Sequence, residues 1–132
     1  MSKLQLPVIT SVPDLGAFQE IMNKNPGLII IKLGAVWCGP CQVIKQDVEE
    51  MFEMMPSNVQ CLSVDIDDNL DFYSFLKKKR VVNGVPAILC YKRGNLSNVP
   101  DDYAIGANKE KLKEFRDRCI GNAVSIAHKL IK

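Results

Sequence analysis

The chain has 132 residues, 47% of them hydrophobic and 24% charged, which is the size and balance of one compact domain and excludes a disordered or fibrous polymer. Seventeen Lys and Arg against fifteen Asp and Glu leave a net charge of +2, too small for bulk electrostatics to recruit nucleic acid or a membrane surface. No stretch approaches the roughly 20 apolar residues of a membrane span. Met1 to Thr10 lacks the basic, apolar and small-residue sequence of a secretion signal, and five cysteines with one close pair fit a reducing compartment, so a cytoplasmic protein is expected.

Leu6 to Thr10 reads as a short first strand. Ser11 is positioned to cap a helix with Asp14 three residues on, and Phe18, Ile21 and Met22 mark its apolar face. Pro26-Gly27 ends that helix. The run Leu28 to Ile31 reads as a strand buried on both sides. After Pro40, the spacing of Cys41, Ile44, Val48, Met51, Phe52 and Met55 predicts a single helix closed by Pro56-Ser57-Asn58. Val59 to Ile66 is the next strand. Asn69 is a candidate cap for a third helix that turns Leu70, Phe72, Phe75 and Leu76 inward, and Asn83-Gly84 leads into a strand from Ala87 to Tyr91. Arg93-Gly94 predicts a hairpin turn, and a last strand covers about Asp102 to Ile105. Asn108 then caps a final helix carrying Leu112, Phe115 and Cys119. The apolar phase continues through Ala123, Ile126, Ala127 and Leu130, although Gly121-Asn122 is a possible stop, so the expected division is a domain over 1–121 and a helical extension over 122–132. Strands alternating with helices and ending in a hairpin imply an α/β fold with a mixed sheet of four to five strands and helices on both faces.

The chemistry concentrates at Trp37-Cys38-Gly39-Pro40-Cys41, between the buried strand and the following helix. There Cys38 meets unpaired backbone N–H groups and the positive end of the helix dipole, which favour its thiolate, the nucleophilic form. Proline is tolerated in the first turn, and the two-residue spacing lets Cys41 reach Cys38 in a small ring. Cys38 is therefore expected to attack and Cys41 to resolve. A zinc half-site shares the spacing, but a structural site wants four ligands, and the chain has no second Cys-x-x-Cys and one histidine, His128.

Ala35-Val-Trp-Cys-Gly-Pro-Cys41, Val64-Asp-Ile-Asp67, Gly84-Val-Pro86 and Ile105-Gly-Ala107, in this order, resemble the thioredoxin family over about Leu6 to Ile120. The resemblance implies the thioredoxin fold, a cis Pro86 facing the sulfurs, and an apolar lip of Trp37, Val85, Pro86, Ile105, Gly106 and Ala107. A cis Pro86 would turn the Val85 backbone outward to pair with an extended substrate, and Gly39 and Pro40 complete the binding surface.

Four positions depart from the family pattern. Lys32 stands where thioredoxins usually carry a buried aspartate, and Ser63 where its lysine partner lies. Gly34 replaces an aromatic residue, and Gln46 replaces a proline that kinks the helix. Lys32 is thus a candidate for the chemistry, either as a charged group favouring the thiolate or as a neutral base for Cys41; alternatively it snorkels to the surface. Cys61, Cys90 and Cys119 are expected to be core thiols. The expected function is reduction of protein disulfides by dithiol exchange, without a cofactor, by a monomer or weak homodimer recharged by an external reductase or reductant. A disulfide oxidase or isomerase of higher potential, and a scaffold subunit of the same fold, are the alternatives.

Overall fold

A computed structural model describes residues 5–130. The elements in chain order are α1 (Leu15–Asn23), β1 (Leu28–Gly34), α2 (Gly39–Val43), α3 (Lys45–Glu53), β2 (Val59–Asp65), α4 (Leu70–Lys78), β3 (Ala87–Lys92), β4 (Asp102–Ile105) and α5 (Lys109–Leu130). They build a four-stranded sheet in the order β2-β1-β3-β4, with β1 parallel to β2 and the other pairs antiparallel. The apolar run that marks β1 is explained by this order: it is a central strand covered on both faces.

Side chains alternate across a strand, so the sheet sorts its residues into two cores. Ile29, Ile31 and Leu33 of β1 join Leu89 and Tyr91 of β3 against Phe18 and Met22 of α1 and Phe72 and Leu76 of α4. Phe18 packs tilted against Phe72 with ring centres 4.9 Å apart and meets Tyr91 edge-on at 5.9 Å. Leu28 and Ile30 face the other way, onto Val48 and Met51 of α3 and Leu112, Phe115, Cys119 and Ala123 of α5.

Several expectations are corrected. The segment at Leu6–Thr10 is not a strand of the sheet: only Ile9 pairs, through one bridge to Leu62, and Pro7 has no N–H to extend a ladder. Asp14, not Ser11, caps α1, its carboxylate accepting from the Ala17 N–H at 2.8 Å. The helix expected from Cys41 to Met55 is two helices, parted at Ile44, whose backbone leaves helical geometry without any proline. Asn69 occupies the N-cap position of α4, but its side chain accepts from the Val12 N–H at 2.7 Å and donates to the Asp65 carbonyl at 2.8 Å, tying the N-terminal segment to the end of β2. Leu70, expected inward, is exposed because it opens the helix on its outer side.

The helix α5 is capped by Asn108, which accepts from the Lys111 N–H at 2.9 Å, and it runs without interruption through Gly121 and Asn122 to Leu130. The burial of Ala123 and a 2.9 Å hydrogen bond from the Asn58 amide to the Ala123 carbonyl hold the helix past that possible stop. Residues 131–132 of the expected helical tail lie outside the described residues. No helix among the described residues is long and apolar enough to cross a membrane.

Candidate active site

Cys38 and Cys41 form a disulfide, with Cα atoms 5.2 Å apart. The end of β1 delivers the chain to them. Cys38 is the N-cap of α2 with extended backbone (φ −85°, ψ 110°), so its side chain can turn back onto the first helical turn, and the Cys41 N–H points at Cys38 Sγ at 3.2 Å. An N–H aimed at sulfur stabilises the thiolate formed on reduction. Pro40 occupies the first turn, where it removes no helical hydrogen bond. The two sulfurs differ less in exposure than their positions suggest: Cys38 is 5% and Cys41 2% exposed, whereas Gly39 and Pro40 beside them lie in the open.

The Val85–Pro86 peptide bond is cis, and the Val85 carbonyl oxygen lies 3.8 Å from Cys38 Sγ. The Pro86 carbonyl accepts from the Gly106 N–H at 3.0 Å, and Gly106 has φ 84°, a conformation suited to glycine. This link brings Val85, Pro86, Ile105 and Gly106 to one groove of about 480 Å³, which Arg80 and Tyr103 complete. Ile105 is 52% exposed, an apolar edge left open to a partner.

Two of the expected lip residues do not line that groove. Trp37, 67% exposed, is not part of that groove; its indole N–H donates to the Asp67 carboxylate at 2.8 Å, which fixes the ring on the β2 side of the disulfide. Ala107 packs against the second core with Leu112 and Phe115, because the chain reverses at Gly106. Asp67, the last residue of the Val64-Asp-Ile-Asp67 motif, thereby gains a positioning role. Its own N–H donates to the Asp65 carboxylate at 2.8 Å.

Arg80 was not legible as a site residue. It has φ 60° and closes α4 in a Schellman motif: the Val81 N–H reaches the Leu76 carbonyl at 2.9 Å, and the Arg80 N–H reaches the Lys77 carbonyl at 3.0 Å. The run of basic residues before it gave the only signal.

Lys32 lies beneath the disulfide. It is half-buried on β1, beside Ser63 of β2 and Ile88 of β3, and burial followed by the charge of Lys45 holds its amine below the ordinary lysine range. The other three cysteines are buried in the second core. Burial pushes the Cys61 thiol up to about 12, and a hydrogen bond to Cys119 together with burial raises Cys90 further. Among the described residues no three His, Cys, Asp or Glu gather into a metal-holding group.

The chain as a whole is similar to known proteins. The family model described as Thioredoxin matches residues 9–118. The chain is 34% identical over 107 residues to thioredoxin of Equus caballus, covering 80% of this chain and 93% of the relative. It is 35% identical over 108 residues to thioredoxin of Ophiophagus hannah, covering 81% and 94%. Among solved structures, Fasciola hepatica thioredoxin superposes with a TM-score of 0.65 at 29% identity, over 83% of this chain and 98% of that one. The chain therefore belongs to the thioredoxin family and is a thiol–disulfide oxidoreductase working through the pair Cys38 and Cys41.

Proposed function

We propose that the chain is a cytoplasmic reductase of protein disulfides that carries electrons from an external reductase to its substrates with its own dithiol and no bound cofactor. The observation that carries this reading is the placement of Cys38 at the cap of α2, with the Cys41 N–H at 3.2 Å, beside a groove open to a partner. The Cys38 thiolate attacks a substrate disulfide, forming a mixed disulfide and releasing one substrate sulfur as a thiolate that takes a proton from solvent. The Cys41 thiolate then attacks Cys38 Sγ, and the second substrate sulfur leaves with the electron pair. The substrate has gained two electrons and two protons, and the reductase returns them to the protein.

Val85, Pro86, Ile105 and Gly106 hold the substrate chain in an extended form, with the Val85 backbone as its hydrogen-bonding edge. Trp37, Gly39 and Pro40 shield the exchanging sulfurs from the other side. The chain acts as a monomer or weak homodimer. The three unpaired buried cysteines support a reducing compartment. The test is turnover of a protein disulfide by the reduced chain, with Cys38→Ser as control, and measurement of the dithiol potential against glutathione. Turnover lost in Cys38→Ser, with a potential below that of the glutathione pool, is expected. A potential well above that pool would assign an oxidase instead.

A further inference from the structure

Resolution of the mixed disulfide requires Cys41 as a thiolate, and Cys41 is 2% exposed, so its proton needs a route out. Side-chain alternation along β1 turns Lys32 to the face of Leu28 and Ile30, directly under the start of α2. The next residue but one is Gly34. A Cβ placed there would meet Lys32 Cε at 3.3 Å, Cys41 Sγ at 3.6 Å and Lys32 Nζ at 3.8 Å. The missing side chain therefore leaves a gap that the lysine amine and the resolving sulfur share.

That gap opens into a cavity of about 180 Å³ lined by Lys32, Gly34, Cys41, Lys45, Ser63 and Asp65. It is roomy enough for waters of roughly 30 Å³ each, and its polar lining can hold them. Lys32 makes no hydrogen bond or ion pair among the described residues, so no carboxylate pins the amine in its charged form. The charged groups that reach it are Lys45 and Glu49 from α3 and Asp65 at the end of β2; β3 contributes the apolar Ile88. Burial and Lys45 outweigh the two carboxylates, which favours a neutral amine relative to an ordinary lysine.

We propose that the Lys32 amine is the proton acceptor for Cys41 during resolution, working across the cavity beneath Gly34. The inference rests on the exchange mechanism given above. The Cys41 S–H proton passes to the amine, directly or through one water, giving an ammonium. The Cys41 sulfur forms its bond to Cys38 Sγ as the bond from Cys38 to the substrate sulfur breaks, and the ammonium loses its proton to solvent through the cavity. When the disulfide is reduced again, the same group returns a proton to Cys41.

The test follows the reduced protein with dithiobis-nitrobenzoate in stopped flow. The first nitrothiolate release reports attack by Cys38 and the second reports resolution by Cys41. Lys32→Met is expected to slow the second release by on the order of 100-fold at neutral pH, with the first changed by less than about threefold. The inflection of the second release with pH is expected to move upward. Lys32→Glu, which restores an acceptor, should recover most of the rate, whereas Lys32→Arg, which keeps the charge and cannot give up its proton, should not. An unchanged second release in Lys32→Met, or rescue by arginine as good as by glutamate, overturns the proposal. Should the variants fail to fold, titrating the Lys32 amine of the wild-type protein by nitrogen NMR decides: an inflection at or above the ordinary value of 10.5 overturns it. If Cys38→Ser still gives a first release and turns over, the exchange mechanism itself has failed. If only the second-release result fails, that mechanism stands and the role of Lys32 falls.

Discussion

Replacing Arg80 by glycine is expected to stabilise the protein. Arg80 holds φ 60°, and in that left-handed region the Cβ of a residue other than glycine crowds a carbonyl oxygen, costing about 1–2 kcal/mol. The conformation is enforced by the end of α4, where Val81 N–H and Arg80 N–H both turn back to helix carbonyls at 2.9 and 3.0 Å. Glycine relieves the crowding but gains freedom in the unfolded chain, which returns about 0.5–1 kcal/mol. The net gain is about 0.5–1 kcal/mol, or roughly 2–5 °C in Tm for a chain of this length. Arg80→Ala is the comparator, since it removes the same guanidinium and keeps the Cβ. Urea and thermal unfolding of the oxidised protein read the difference. If Arg80→Gly is no more stable than Arg80→Ala, the backbone at Arg80 is not strained and the reasoning fails. Because Arg80 lines the groove beside Pro86, both variants are expected to change KM for disulfide substrates alike, separating the guanidinium from the backbone.

Cys41→Ser is expected to accumulate a mixed disulfide through Cys38, seen as a mass increase by the substrate; capture at any other cysteine contradicts the order of attack. Gly27→Ala is expected to cost about 2–4 kcal/mol in urea unfolding, because a Cβ there meets the Asn58 amide nitrogen at 2.5 Å and the Asn58 backbone oxygen at 2.7 Å. Asn58 in turn pairs with the Leu28 N–H and with the Ala123 carbonyl, so a loss under about 0.5 kcal/mol shows that this junction yields freely. The lowered pKa of Lys32 means that the folded protein binds fewer protons than the unfolded chain between that pKa and 10.5. Stability from this group therefore rises with pH across that window and is lowest below it. Any advantage of Lys32→Met over wild type is thus expected to be larger at neutral pH than at the top of the window, measured on the oxidised form in which Cys38 and Cys41 do not titrate.

Local chemistry dictated most of what the sequence alone made legible. The unbroken run from Leu28 marks a central strand because both faces of β1 are covered, and the cysteine pair after it marks the site because a strand-to-helix junction supplies unpaired N–H groups. The break at Ile44 was hidden because the apolar residues keep helical spacing through it, and both helices bury them. Asn69 was read as a cap, the commonest use of that side chain, but it is spent on Val12, a partner 57 residues away. The same distance problem concealed the bond from Trp37 to Asp67 and the approach of Arg80 and Tyr103 to the groove. Proximity of that kind is created by the sheet and leaves no pattern along the chain. Gly34 was visible as a departure from the family, yet what its missing side chain makes room for emerged only with the third dimension.

The sheet also acts as a partition for sulfur chemistry. The cysteines that trade disulfides belong to the core shared with α1 and α4, whereas Cys61, Cys90 and Cys119 are buried in the core under α3 and α5. Burial for Cys61, and a hydrogen bond to Cys119 together with burial for Cys90, hold those two thiols protonated and silent as nucleophiles at neutral pH, while Cys119 has no exposed surface. The spare sulfurs are thereby kept on the opposite side of the sheet from the exchanging pair. A thiol reagent is expected to find two cysteines in the reduced native molecule and five once that molecule is unfolded.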